Sequence, residues 1–228
     1  MSAKTQSDRM FDRLQADILS CRLIPGSKLR INEIAGSSDA SLGAVREALS
    51  RLSAEGLVIA ESQKGYRVIP LSVEDLCDLT EARVEIERIG LSRSIARGDL
   101  EWESNLVAAW HRLSKIPQPL PEDPNVNRWA AAHAEFHLAL VAACGSNKLL
   151  RVRSQLYQQS ERYRRYSGVV DRERNVFAEH QAIFDAAIAR DAAAAADAIE
   201  GHLRMTAKII ISSLVLHAED GERLKEAV

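Results

Sequence analysis

Apolar residues recur at helical spacing over residues 8–20, where Met10, Phe11, Leu14, Ile18 and Leu19 share one face. Pro25 and Gly26 interrupt that pattern in "PGSKL". A short helix is predicted in "INEIAGSS" and a longer one in "DASLGAVREALSRLSAEG", with Val45, Leu49 and Leu52 turned inward. Gly56 stands just past the end of the longer helix, where a left-handed residue closes the last turn. "LVIAESQKGYRVIP" then reads as two short strands joined by a turn at Lys64-Gly65. Three helices followed by a hairpin predict a winged helix-turn-helix.

The pattern changes at Pro70-Leu71-Ser72, which divides the chain into residues 1–71 and 72–228. Ser72, with Asp75 three residues on, has the spacing of a helix N-cap. Beyond it no strand period appears. Helices are predicted over 73–96 and near 101–115, 125–143, 147–166, 173–189 and 191–216. Asp191 caps the last, whose alanine-rich start "DAAAAADAIEGHL" favours helix strongly. "KIPQPLPEDPN" is a proline-rich loop. The fold class is therefore mainly α, a winged helix-turn-helix followed by an all-α bundle of about six helices.

Composition adds little until the chain is divided. The 228 residues carry a net charge of −2, which does not suggest a nucleic-acid partner. Residues 1–71 hold 10 Lys and Arg against 8 acidic residues, and residues 72–228 hold 20 against 24. A weakly basic module joined to an acidic one has the right sign for DNA binding by the first. The three scattered cysteines (Cys21, Cys77, Cys144) fit a reducing cytoplasm better than a disulfide framework. The polar N-terminus has no apolar core of a signal peptide, and the apolar run at 209–216 is too short to span a bilayer. A cytoplasmic protein without membrane contact is expected.

In a helix-turn-helix the second helix enters the major groove and its N-terminal residues reach base edges. Here that end is Ser41, Leu42, Gly43 and Ala44, with Arg46 one turn in. Small residues permit close backbone approach, and a guanidinium contacts phosphate or a guanine edge. Arg30 and Asn32 at the first helix of the motif, Arg51 further along the second, and Lys64 at the wing tip complete the predicted DNA-binding set. The alternative is a winged helix used for protein contacts, with Arg46 and Arg51 as solvated charge.

Candidate chemistry in the second half lies in its histidines. His133 and His137 are four residues apart in "AAHAEFHLAL", about 40° apart around a helix axis, so both rings can reach one ion. His180 and His202 lie on two further predicted helices. Neutral imidazole suits a divalent transition metal, zinc or nickel first. Spacing alone leaves open a set of satisfied core histidines. "HAEFH" superficially matches the zinc-protease H-E-x-x-H, but Glu135 sits two residues after His133, about 200° round the helix, and faces away from an ion. No nucleophile motif or phosphate-binding glycine loop accompanies it, so an enzyme is not expected.

"PGSKL…INEIA…VREALSRLSAEGLV…KGYRV" resembles the winged-helix domain of the GntR family of bacterial regulators. "LSVEDLCDLTEARVEIE", "AEFHLALVAACGSNKLL", "EHQAIFDAAIARD" and "GHLRM" resemble the FCD ligand-binding domain of its FadR-type branch. The resemblance implies a homodimer on a palindromic operator, and a divalent metal held by an Asp and three His, with His133 at the Asp position. It also implies an inward arginine at Arg83, which Glu87 would orient, facing a small carboxylate effector. Arg162, Tyr163 and Arg165 in "SERYRRYS" are further effector candidates, or a solvated positive face. Many relatives read S-R-T-P-V-R where this chain has Ser41-Leu42-Gly43-Ala44-Val45-Arg46; Arg46 carries over and the first arginine does not. Within the family, "QKGYRV", "EARVEIE", "HRLSK", "CGSNKLL" and "RYR" resemble a carbon-starvation-induced repressor, which implies release by a five-carbon dicarboxylate such as glutarate. A regulator for which the metal itself is the signal is the alternative.

Overall fold

The computed structural model describes residues 4–62, 64–119, 123–167 and 174–226, with side chains as far as Val215. The chain divides into two compact units, Met1–Leu76 with Tyr157–Tyr166, and Cys77–Leu156 with Ser167–Val228.

The first unit opens with α1 (Gln6–Leu19), which starts two residues earlier than its apolar period. The cause is a capping box: the Asp8 N–H donates to Thr5 Oγ1 at 3.1 Å and the Thr5 N–H to the Asp8 carboxylate at 3.2 Å. Met10, Phe11, Leu14 and Ile18 pack against Val45, Ala48, Leu49 and Leu52 of α3 (Leu42–Ala54). Between them lies α2 (Ile31–Gly36).

Helix α3 ends in a Schellman motif built on Gly56 at φ +70°. The Gly56 N–H donates to Ser53 O at 3.1 Å and the Leu57 N–H to Leu52 O at 3.0 Å. The chain then turns into β2 (Val58–Glu61) and β3 (Gly65–Val68), the expected hairpin. A third strand, β1 (Lys28–Leu29), was not anticipated. It pairs antiparallel with β3, Lys28 opposite Arg67 and Leu29 opposite Tyr66, in the order β1-β3-β2. Two residues are too few for a period to show, so "PGSKL" read only as a helix break.

Six helices follow: α4 (Val73–Arg97), α5 (Leu100–Ser114), α6 (Val126–Val141), α7 (Asn147–Ser167), α8 (Val176–Ile188) and α9 (Ala192–Glu226). Ser72 caps α4 through the Asp75 N–H at 3.0 Å, and Asp191 caps α9 through the N–H groups of Ala193 and Ala194. Helix α9 runs ten residues past its expected end at 216. Its last turns, "AEDGERLKE", lack an apolar stripe, which is why the sequence period ended earlier. The core of the second unit packs α5 on α6 and α8 on α9 around Leu106, Phe136, Leu140, Ile183 and Ile199. Among the described residues no helix is long and apolar enough to cross a membrane.

Candidate functional site

Four histidines meet inside the second unit. On α6 the buried face runs through Trp129, Ala132, His133, Phe136, His137 and Leu140, so the i, i+4 pair points into the core. His180 shares the inward face of α8 with Val176, Ile183 and Ala187, and His202 follows Ala195 and Ile199 on α9. All four rings are buried, with His137 exposed by only 1%.

Nε2 of His137 lies 3.1 Å from Nε2 of His133 and 3.2 Å from Nε2 of His180. One ring nitrogen from each of the four falls within 4.8 Å of the others. A metal with bonds of about 2.05 Å needs donors about 2.9 Å apart at octahedral edges and about 3.3 Å apart at tetrahedral ones. The two separations at His137 lie between those limits, and four buried imidazoles are a donor set that fits a divalent transition metal. Burial holds His137 and His180 well below the ordinary histidine pKa and lowers His202 as well. Burial thus favours the neutral form of these three rings, the form that binds a metal.

The surroundings fix the rings. Trp129 stacks on His133 with centroids 4.6 Å apart, and Phe136 sits edge-on to both His137 and His180. Nδ1 of His202 is 2.8 Å from the Glu179 carboxylate, which leaves Nε2 to face inward. Arg174 grips both oxygens of Glu179 and donates to His202 O at 3.0 Å and Thr206 Oγ1 at 2.9 Å. Burial works against the Glu179 anion, yet the bonds from Arg174 and His202 take its pKa down to about 2. A carboxylate behind a ligating histidine holds its tautomer and orientation.

A second buried group lies in the same unit. Arg153 Nε donates to Glu87 Oε1 at 2.9 Å, and Arg83 approaches the same oxygen at 3.5 Å. Glu87 is 2% exposed, Arg153 4% and Arg83 8%. Two guanidiniums thus share one carboxylate in the interior. Their charges bear on the histidines, Arg153 lowering the pKa of His137 and Arg83 that of His202.

Arg153 was missed by the sequence reading, although its place between Leu149 and Tyr157 on α7 marks it as inward. The other candidates on α7 lie elsewhere in the structure. Arg162 and Tyr163 are in the first unit, where the Arg162 guanidinium donates to Ile69 O at 3.1 Å and the Tyr163 hydroxyl donates to the Asp75 carboxylate. Ser72 N–H donates to that hydroxyl at 3.2 Å. Both side chains are almost fully buried and hold the end of the wing segment. Arg165 belongs to the same unit, whereas Arg83 and Glu87 lie together in the second unit with Arg153 beside them. Glu135 points to solvent and is gripped by Arg112 at 2.6 and 3.0 Å, so it is no base for the histidine centre.

In the first unit, Ser41 Oγ accepts from the Ala44 N–H at 3.1 Å and the Ser41 N–H donates to Gln6 at 3.1 Å. These bonds fix the start of α3. Gly43 and Arg46 are exposed, and among the described residues Arg46 forms no ion pair. The Arg51 guanidinium pairs with Asp8 at 2.8 Å and lies 4.2 Å from the Phe11 ring, which ties α3 to α1. Arg30 pairs with Glu33 on the surface at 2.8 Å, a bond worth little in water, and Asn32 and Lys64 are exposed.

Comparison with known proteins accords with both halves. Residues 6–68 match "Bacterial regulatory proteins, gntR family" and residues 78–205 match "FCD domain". The chain belongs to the GntR family, to the group that carries an FCD domain. It is 40% identical over 203 residues to the uncharacterized HTH-type transcriptional regulator BphR of Paraburkholderia xenovorans (strain LB400), covering 88% of this chain and 83% of that protein. It is 37% identical over 202 residues to the HTH-type transcriptional repressor GlaR of Escherichia coli (strain K12), covering 86% and 92%. The solved structure of E. coli McbR/YncC shares the fold, with a TM-score of 0.76 at 16% identity over 93% of this chain and all of that one. The protein is a transcriptional regulator and not an enzyme; its helix-turn-helix implies DNA binding and its FCD domain a small-molecule effector.

Proposed function

We propose that the protein is a cytoplasmic, homodimeric repressor that leaves a palindromic operator when a small dicarboxylate enters the histidine centre. Residues 1–71 read the DNA and residues 72–228 sense the effector. His133, His137, His180 and His202 hold a divalent transition metal, with zinc or nickel favoured by an all-nitrogen donor set. When bound, the metal supplies a positive centre to which a carboxylate oxygen can coordinate. Arg83 and Arg153 take the second carboxylate, because a planar guanidinium binds that group in a fixed fork.

The observation that carries this reading is the buried charge beside the histidines. Two buried guanidiniums approach one carboxylate there, which places forked donors in the same unit as the histidines. An acid with two carboxylates can offer one group to a metal and one to such a fork. The resemblance to the carbon-starvation-induced regulator CsiR favours the five-carbon acid glutarate, and repression accords with the name of the GlaR relative. A ligand moves the operator-bound equilibrium only by its differential affinity for the two states, about 1–3 kcal/mol of coupling.

The test is a thermal-shift screen of C4 to C6 dicarboxylates on metal-loaded and metal-stripped protein. Glutarate should raise the melting temperature of the loaded form by mass action and leave the stripped form unchanged. If no dicarboxylate shifts either form, the effector assignment fails. Should zinc or nickel alone change operator affinity, the metal is itself the signal, a reading that the all-nitrogen donor set also favours.

Glu179→Gln should weaken metal binding by about 10- to 100-fold, the usual cost of losing a carboxylate behind a ligating histidine. Competition against a chromophoric chelator measures it. Unchanged affinity would mean that His202 needs no such partner.

A further inference from the structure

The start of α3 exposes a hydrophobic side chain where a polar reader of bases is expected. Leu42 is the first residue of the helix and 44% exposed, although Ala44 and Val45 beside it are buried. The neighbouring Ser41 uses its N–H, and its hydroxyl oxygen as acceptor, to fix the helix start, and Gly43 has no side chain. The outward-facing side chains of the first two turns are therefore Leu42, Arg46 and Glu47. Burial in this unit does not explain Leu42, since the core beneath α3 is filled by Val45, Ala48, Leu49 and Leu52.

We propose that Leu42 reads a thymine, by packing on its 5-methyl group in the major groove. Among the edges a base pair shows in that groove, the thymine methyl is the one apolar group, and only an apolar side chain gains by covering it. Residues four apart on a helix lie about 5–6 Å apart at Cβ. Leu42 and Arg46 thus address positions within about two base pairs of each other, at a rise of about 3.4 Å per pair. The operator half-site carries a thymine next to, or one removed from, the base pair or phosphate that Arg46 contacts. This inference rests on α3 being the helix that enters the major groove, and it adds which base that helix selects.

The full-length protein and its Leu42→Ala variant are each used to select duplexes from a randomised library. Thymines of the selected half-site are then replaced one at a time by deoxyuridine, which removes only the methyl. One replacement per half-site should weaken wild-type binding about fourfold, the worth of one buried methyl group. The same replacement should leave Leu42→Ala unaffected. Leu42→Arg should shift the selected base at that position toward guanine. Leu42 is exposed, so these variants should fold as the parent does, and binding to unselected DNA checks this. The proposal is overturned if no thymine is methyl-sensitive, or if Leu42→Ala is equally sensitive at the same thymine. If the wild type enriches no sequence at all, DNA reading by α3 fails with it, a result distinct from an enriched site without a methyl-sensitive thymine.

Discussion

Glu87→Gln should destabilise the protein by about 3 kcal/mol, because breaking a buried ion pair strands the remaining charge. At this chain length that is a fall in melting temperature of roughly 10 °C. The substitution keeps the shape of the side chain and one oxygen acceptor, so the loss reports charge more than packing. It takes from Arg83 and Arg153, exposed by 8% and 4%, the carboxylate that both approach among the described residues. Glu135→Gln is the control: that carboxylate is half exposed and paired with Arg112 on the surface, where a single ion pair contributes at most about 1 kcal/mol. An added dicarboxylate should recover more stability in Glu87→Gln than it adds to the parent, since it replaces the missing negative charge. A melting temperature within two degrees of the parent would mean that Glu87 does not hold the arginines by its charge.

How far the sequence reached this centre depends on which contacts are local. The His133/His137 pair is legible because four residues make one helical turn, and His180 and His202 are legible because each falls on an apolar stripe. The Glu179 contact with His202 is not, since it joins α8 to α9 and Glu179 lies next to a histidine that points elsewhere. Arg153 was overlooked for a different reason. In "NKLLRVRSQLY" three basic residues crowd one stretch, and only the register of α7 separates the exposed Arg151 from the buried Arg153. The same crowding in "SERYRRYS" drew attention to Arg162, Tyr163 and Arg165, whose register turns the first two toward Ile69, Ser72 and Asp75. Local signals placed the helices well, including the Gly56 stop and the Ser72 and Asp191 caps. They failed where an element was two residues long, as at β1, and they do not show contacts between residues far apart in sequence, such as that of Arg51 with the Phe11 ring.

His137→Leu should separate the stability of the fold from that of the metal site, with opposite signs. His137 is the hub of the cluster, its Nε2 standing 3.1 and 3.2 Å from those of His133 and His180. Leucine fills comparable volume in a core already lined by Phe136 and Leu140 and brings no polar atom to be desolvated. In metal-stripped protein the variant should melt at or above the parent temperature, because burying an imidazole without its ion costs free energy that leucine does not. With metal the order should reverse. Loss of one of four nitrogen donors should lower metal affinity by at least about 100-fold, more than the loss of an outer-shell partner costs. Since metal stabilises only the folded chain that holds it, the rise in melting temperature on loading should shrink accordingly. Chelator competition and paired melts of loaded and stripped protein measure both effects. Parental metal affinity in His137→Leu would show that the ion, if held, does not use the ring at the centre of the cluster.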